Sequence, residues 1–327
     1  MGVAFAGIVV HAGDPFLMNQ PPQIVIVGGC AIDYALRAEH LPSPGQSVSG
    51  DVFLRNAGGK GLNQAVGVVR LGALAVLIAA IGQDREGDDV LRALEQNGIG
   101  TDRIVRVEDV PTACTLICVD AQGRKQTASR PGANMALSER RLPGEFLTCA
   151  TVLLTQLEIP VPTVLEAARL ARRGGATVIL DAAPATTIPD ELIMLAGVVT
   201  ANGAEARALS DIAVDNRESA VIAARAIRRR GARAEAVAAP DGRAVVTDTD
   251  EQWLPNHQVP TIDTTGAGDA CAAAIAVSLV EGRSFVEACV FGHAAAALAT
   301  THMGAVASLP LRQAVDLLRS QWGAVAG

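Results

Sequence analysis

Aromatic residues are scarce in this chain. It has two Trp, one Tyr and six Phe among 327 residues, although half of all residues are apolar. A core with so few large rings must be filled by Ala, Val, Leu and Ile. A basic excess is also lacking. The net charge of −7 argues against nucleic acid or an anionic membrane as main partner, but leaves room for a local basic pocket that binds phosphate. Cys30, Cys114, Cys118, Cys149, Cys271 and Cys289 form no Cys-x-x-Cys pair and no Cys/His metal spacing, so reduced core thiols are expected. No apolar run is long enough for a convincing membrane span. The start, residues 1–22, is mildly apolar without the basic n-region of a signal peptide, so a disordered extension or a start codon set too early is expected there. There is no internal repeat and no collagen-like glycine period. These absences leave a soluble cytoplasmic protein with one large α/β domain, with or without an appendage.

What is present is a regular alternation. "IVIVGG" (24–29) is a short apolar run closed by glycines, as in a buried strand. Residues 34–57, with Pro42, Pro44, Gly45 and Gly50, read as short exposed strands and turns. A helix follows from Lys60, then a strand "LAVLIAAIG" and a helix ending at Gly98 as an αL cap. Strand-like runs occupy 114–119 and about 124–130. From about 150 to 240 strands and helices alternate: "TVLLTQLE", "PVPTVLEAARLARRGG", "ATVILDAAP", "DELIMLAG", "VVTANGAEARALS", "ESAVIAARAIRRRGA". That order implies βαβ units and a mostly parallel sheet with helices on both faces. Helices at 269–281, 285–301 and 310–322 close the chain. "RRR" at 228–230 ends a helix, where cations favour the dipole.

Two glycine turns carry the chemistry. "NAGGKGLNQA" (56–65) is no P-loop, because Gly61 follows Lys60. Its adjacent glycines allow close ligand approach or positive φ, and Lys60 and Asn63 suit sugar hydroxyls; a plain strand-to-helix turn reads equally well. "DTTGAGDA" is no dinucleotide fingerprint, since Cys271 stands at the third glycine position. Gly266, Ala267 and Gly268 precede an Ala-rich helix, so their N–H groups and the helix dipole can converge on one anion. Asp269 either caps that helix or, beside a bound phosphate, takes a proton from an attacking hydroxyl. Other residues have paired readings. Asp33 is a turn aspartate or a ligand at a strand's carboxyl end. Glu158 ends a strand in an apolar context and must be paired or liganded. Asn202 is a helix cap or a site residue, and His293 an ordinary helical histidine or a site residue.

Taken together, these residues resemble the ribokinase-like (PfkB) carbohydrate kinase family over about 24–320. "GGKGLNQAVGVVRLGA" is similar to its first signature and "DTTGAGDACAAAIA" to its second, with "LLTQLEIP", "VILDAAPA", "DELI", "FGHAAAALATTHMGA" and "RPGANMALS" in matching order. The resemblance implies an α/β fold, a ribokinase-like Rossmann-type sandwich over 23–327, with a small β lid from about 34–57 and 112–130. It implies an ATP-dependent kinase phosphorylating a primary hydroxyl of a pentose (ribose to ribose 5-phosphate foremost), with Mg²⁺ assisting, K⁺ activating and a homodimer formed through the lid. By the same resemblance Asp269 is the base, and Gly266, Ala267 and Gly268 form the anion hole. Asp33, Gly59, Lys60, Gly61, Asn63 and Glu158 hold the sugar. Asn202 and Glu205 lie near the phosphates and Mg²⁺, with His293 by the adenine. Asp263, Thr265 and Ser308, with the backbone of Ala299, His302 and Gly304, form the monovalent-cation site.

The chain departs from the family pattern in places. Ala31 replaces a sugar-bonding asparagine, which leaves the sugar open and admits a nucleoside as the alternative acceptor. Ala238, Ala239 and Pro240 replace the nucleotide turn, which admits a catalytically weak sugar-binding homologue. Ala272 and Cys271 replace the common asparagine and aromatic after the base, and "TANGAEA" lacks the proline before Asn202.

Overall fold

The computed structural model describes residues 24–323. The extension expected at 1–22 therefore lies outside the described residues. Among the described residues thirteen strands occur in chain order: β1 (Ile24–Val27), β2 (Ala31–Ala38), β3 (Gly50–Gly58), β4 (Ala75–Gly82), β5 (Ile104–Val107), β6 (Ala113–Val119), β7 (Lys125–Arg130), β8 (Val152–Thr155), β9 (Thr177–Asp181), β10 (Val198–Ala201), β11 (Glu235–Ala239), β12 (Gly242–Val246) and β13 (Glu251–Pro255).

Nine of these form one sheet in the order β13-β12-β11-β10-β9-β8-β1-β4-β5. It is parallel from β11 to β5, with Ile24 paired to Ala75 on one side and Val152 on the other. The central strands "IVIV" and "VLLT" are buried along their length, as strands covered on both faces must be. Successive side chains point to opposite faces. Ile24 and Ile26 thus join the core under helices Lys60–Arg70, Ala267–Val280 and Phe285–Ala299, while Val25 and Val27 join the core under Val161–Arg173 and Arg217–Arg229. This is the expected α/β sandwich, with a core of Ala and branched aliphatics.

Helix Ala267–Val280 is buried nearly all round and packs at very short range on its neighbours. A Cβ on Gly67 would lie 2.8 Å from the Ala273 Cβ, and one on Gly292 3.0 Å from the Cys271 carbonyl oxygen. Close packing of this kind needs small residues on both sides.

The other four strands form a second sheet, β3-β2-β6-β7, at the lid positions. Its β2 begins at Ala31 and is partly buried, while residues 39–57, which carry the Pro and Gly residues, are largely exposed. The chain also differs from the sequence reading elsewhere. β12 and β13 add an antiparallel pair to the sheet edge, Ala238 and Ala239 belong to β11, and Pro240–Asp241 make a two-residue turn. Glu158 lies beyond the end of β8, in the following loop. Arg230 does more than face a dipole: it donates to the carbonyls of Leu209 (2.6 Å) and Ile188 (3.1 Å) and pairs with Asp190. All six cysteines are free, but only Cys30, Cys271 and Cys289 are buried and Cys149 is exposed. No described helix is long and apolar enough to cross a membrane.

Candidate active site

A cavity of about 410 Å³ lies between the lid and the carboxyl ends of the central strands, where open α/β sheets bind ligands. It brings together Asp33 from β2, Gly59, Lys60 and Asn63 from the first glycine turn, Glu158 from the loop after β8, and Thr265, Gly266 and Asp269 from the second turn. Ala31 also lines it, with Thr115, Lys125, Thr127 and Ser129 from the lid.

Asp269 sits in the first turn of helix Ala267–Val280 and is 4% exposed. Such a carboxylate must be bonded. Asn63 donates its amide to one oxygen at 2.8 Å and Gln64 to the other at 3.2 Å. The Lys60 ammonium stands 3.6 Å from Asp269 and 3.5 Å from Asp181, and Gln64 bridges to Asp181 at 2.9 Å. The Gln64 amide oxygen in turn accepts from Gln156. Burial works to lower the Lys60 pKa, but Asp181 and Asp269, then Glu158 and Glu205, outweigh it and raise it, so Lys60 stays charged. Burial likewise raises the Asp181 pKa against the pull of Lys60.

At the other end of the cavity two carboxyls face open space. Burial pushes Glu158 to about 7, with Lys60 opposing through its charge and its N–H, which donates to Glu158 at 2.8 Å. Burial pushes Asp33 to about 6, against a hydrogen bond from Thr115. Groups poised this way suit acceptance of hydroxyl donors near neutral pH. Asn134, also in the cavity wall, accepts the Cys30 N–H at 3.0 Å and so fixes the β1–β2 turn.

Both glycine turns use a backbone that L side chains rarely adopt: Gly59 has φ +87 and Gly266 φ +85. Gly61 donates its N–H to Gly29 at 2.8 Å, so toward a ligand it offers room rather than a donor. At the second turn Ala267 donates to the Thr264 carbonyl at 3.4 Å, while Gly268 and Asp269 find no backbone acceptor among the described residues. The space where a Gly268 side chain would stand is open. Free N–H groups at a helix start make an anion site.

Asp263, 1% exposed, ties this turn to the chain's last third. One carboxylate oxygen accepts from the Thr265 N–H (2.9 Å) and hydroxyl (2.7 Å), and the other from the Gly304 N–H (2.9 Å). Its own N–H and that of Ile262 reach the Thr300 carbonyl, just after Ala299. Ser308 donates to the Ala305 carbonyl at 2.8 Å, and the His302 ring meets the Thr301 hydroxyl at the surface.

Asn202, Glu205 and His293 stand outside the cavity wall. Asn202 and Glu205 form a reciprocal capping box on helix Gly203–Ser210. Burial, then Asp181, raises Glu205 to about 7. His293 contacts the Pro255 carbonyl at 2.9 Å, and burial, then Arg243, lowers it to about 4, which keeps it neutral.

Reading the sequence alone overlooks Gln64, Gln156, Asp181, Asn134, Lys125 and Arg243. A signal exists for the first four: each is polar within or just after an apolar or motif stretch, in "GLNQA", "LLTQLE", "VILDAAP" and "RPGANMALS". Arg243 is 7% exposed on β12 opposite Ala238, and nothing in "DGRAVV" marks it as buried.

Comparison with known proteins places the chain among carbohydrate kinases. The model of the pfkB family carbohydrate kinases matches residues 21–312. A ribokinase of Haemophilus influenzae is 34% identical over 293 residues, covering 89% of this chain and 96% of its own. Among solved structures, the Thermotoga maritima ribokinase superposes with a TM-score of 0.80 at 33% identity, covering 91% of this chain and 99% of its own. The Arabidopsis thaliana ribokinase, complexed with ribose and ATP, gives 0.82 at 29% identity, covering 92% and 99%.

Proposed function

The chain belongs to the pfkB family of carbohydrate kinases and is a phosphotransferase with an alcohol acceptor; from this premise we propose that it transfers the γ-phosphoryl of ATP to a primary hydroxyl of a pentose, ribose foremost. The observation that carries the reading is the Asp269 carboxylate. It is anchored by Asn63 and Gln64 in the same cavity as the hydroxyl acceptors Asp33 and Glu158, beside the free N–H of Gly268. The ribose and ATP held by the Arabidopsis relative support both substrates. A nucleoside acceptor gains no support from these relatives.

In this reading Asp33 and Glu158 orient the sugar, and Ala31 leaves space where a bonded asparagine would stand. The sugar oxygen attacks the γ-phosphorus, its proton passes to Asp269, and the bond to the ADP oxygen breaks. The N–H groups of Gly266 and Gly268 face the charge that builds on the phosphoryl oxygens, joined by Ala267, whose N–H makes only a long 3.4 Å bond to the Thr264 carbonyl. Lys60 lies beside the base and holds Asp181 and Asp269 in place.

Mg²⁺ would come with the nucleotide phosphates, with Asn202 and Glu205 nearby. Asp263 suits a monovalent cation. It is a buried carboxylate with no cationic side chain in ion-pair range among the described residues, flanked by Thr265, Ser308 and the backbone of Ala299, His302 and Gly304. Such a cation supplies charge that steadies the anion-hole turn. A homodimer through the lid is supported by the lid's outer face, where Phe53 and Leu116 are 62% and 58% exposed. A cytoplasmic setting fits six free cysteines.

The test is a coupled Mg·ATP assay over pentoses, hexoses and nucleosides with Asp269→Asn as control. Turnover on ribose well above the control supports the reading, and no turnover above it on any acceptor sinks it.

A further inference from the structure

The mechanism above leaves one cation of the cavity unused. Lys125 opens β7 on the lid and lines the cavity together with Thr265, Gly266 and Asp269. Alternation along the lid strands sets which residues face inward. Lys125, Thr127 and Ser129 border the cavity, while Gln126 and Ala128 border the opposite side. The Lys125 residue is exposed overall, its ammonium is partly desolvated within the cavity, and that ammonium makes no hydrogen bond or ion pair among the described residues. The other cavity cations are committed: Lys60 to Asp181 and Asp269, and Arg130 to the Thr112 carbonyl at 3.1 Å.

The lid's tip fixes which end of the cavity Lys125 overhangs. The β6–β7 hairpin turns at Gly123, where a Cβ would lie 3.1 Å from the Ile262 carbonyl oxygen. Ile262 adjoins Asp263 and the second glycine turn. Burial lowers the Lys125 pKa, Asp263 opposes it, Lys60 adds to it, and Asp269 and then Asp33 oppose it less. The sugar end is the anionic one, with Asp33 and Glu158, and suits neutral hydroxyls rather than an acidic sugar. A cation at the opposite end has the phosphoryl group as its natural partner.

We propose that Lys125 is a further catalytic residue, contacting the equatorial oxygens of the phosphoryl group in transfer and adding a lid-borne cation to the backbone donors of Gly266–Gly268. The proposal rests on the kinase reading given above. As the bond to ADP loosens, charge spreads over those three oxygens, and a cation aimed at them counts most where water is excluded. Because this charge rides on the lid, it reaches the phosphoryl only with the lid over the cavity. That links transfer to a bound sugar and leaves water a poorer acceptor.

The experiment compares wild type with Lys125→Gln, Lys125→Ala and Lys125→Arg, using ribose and Mg·ATP. Gln and Ala are expected to lower kcat about a hundredfold with sugar KM within threefold, and Arg to restore most of it. Calorimetry supplies a second readout. With ribose present, Lys125→Gln should weaken binding of ADP plus aluminium fluoride, a mimic of the transferred phosphoryl, at least tenfold, while ADP alone binds unchanged. Wild-type turnover matched by Lys125→Gln overturns the lid-cation proposal alone. A raised sugar KM at unchanged kcat overturns it in favour of a sugar contact. Wild type inactive on every acceptor overturns the kinase reading and this proposal with it.

Discussion

The nine-stranded sheet and the lid border one cavity but handle charge in different ways. On the sheet side Asp181 and Asp269 are each about 4% exposed and held by Gln64 and Lys60, with Asn63 adding to Asp269. On the lid side β7 is exposed along its whole length; the side chains of its inward Lys125 and Thr127 are left to solvent or ligand, and Ser129 makes only a long 3.5 Å bond to the Thr115 hydroxyl. The difference follows from desolvation. A buried carboxylate is tolerable only with partners, so its position is fixed before any substrate arrives. The Lys125 ammonium gives up part of its water to the cavity but has no ion partner in range among the described residues, so it is open to a ligand. The sheet therefore sets geometry, and the lid supplies contacts that form with substrate.

The strongest way to break this contrast is at Asp269. Asp269→Asn keeps the amide partners of the site and removes the proton acceptor. A fall in kcat of about a thousandfold or more is expected, with a melting temperature near that of wild type. Retained turnover would show that the fixed carboxylate is structural only.

Next in size is a paired comparison of lysines. Lys60→Met strands Asp181 and Asp269 as buried charges without their cation and should cost about 3–5 kcal/mol in urea unfolding. Lys125→Met should stay within about 0.5 kcal/mol of wild type. Equal losses would erase the distinction between the two sides.

Glu235, far from the cavity, sharpens the rule by being its exception. It is 0% exposed at the start of β11, and neither carboxylate oxygen has a hydrogen-bond partner. Burial raises it to about 8, against Arg228 and with Asp248 adding. Because the folded pKa lies above the unfolded one, the native state binds the extra proton. Stability from this group is full below the ordinary carboxylate range and is lost as pH climbs toward 8. Glu235→Gln should gain on wild type by about 3 kcal/mol between pH 5 and pH 8, at about 1.4 kcal/mol per pKa unit. A gap that does not widen with pH would place the group's charge outside the core.

The smallest effect belongs to the inward lid hydroxyls. The double change Thr127→Val and Ser129→Val should alter stability by less than about 0.5 kcal/mol and raise sugar KM only a few-fold. A large stability loss would mean that these side chains are structural.

The fold was legible where apolar periodicity was strong. The alternation from 150 to 240 yields the parallel strands β8 to β10, because each strand is a short apolar run. The antiparallel pair β12–β13 was not, since "GRAVV" and "EQWLP" are short and carry Arg243 and Trp253, with no alternation to expose them. The two glycine turns stood out because positive φ at Gly59 and Gly266 demands glycine. Gln64, Gln156 and Asp181 did not, because their role lies in bonding one another across long sequence separations. Periodicity reports which face is buried but not which buried polar groups meet.

The close approach of Gly67 and Gly292 to helix Ala267–Val280 bears on how this enzyme can change. With a glycine on each side and alanines between, the helix that carries Asp269 has no slack in which to absorb a larger neighbour. Added volume there moves the helix and with it the Asp269 carboxylate. Cavity-lining positions away from that helix, Ala31 and the inward lid residues among them, can change size without pressing on it, and any redesign of the acceptor should begin there.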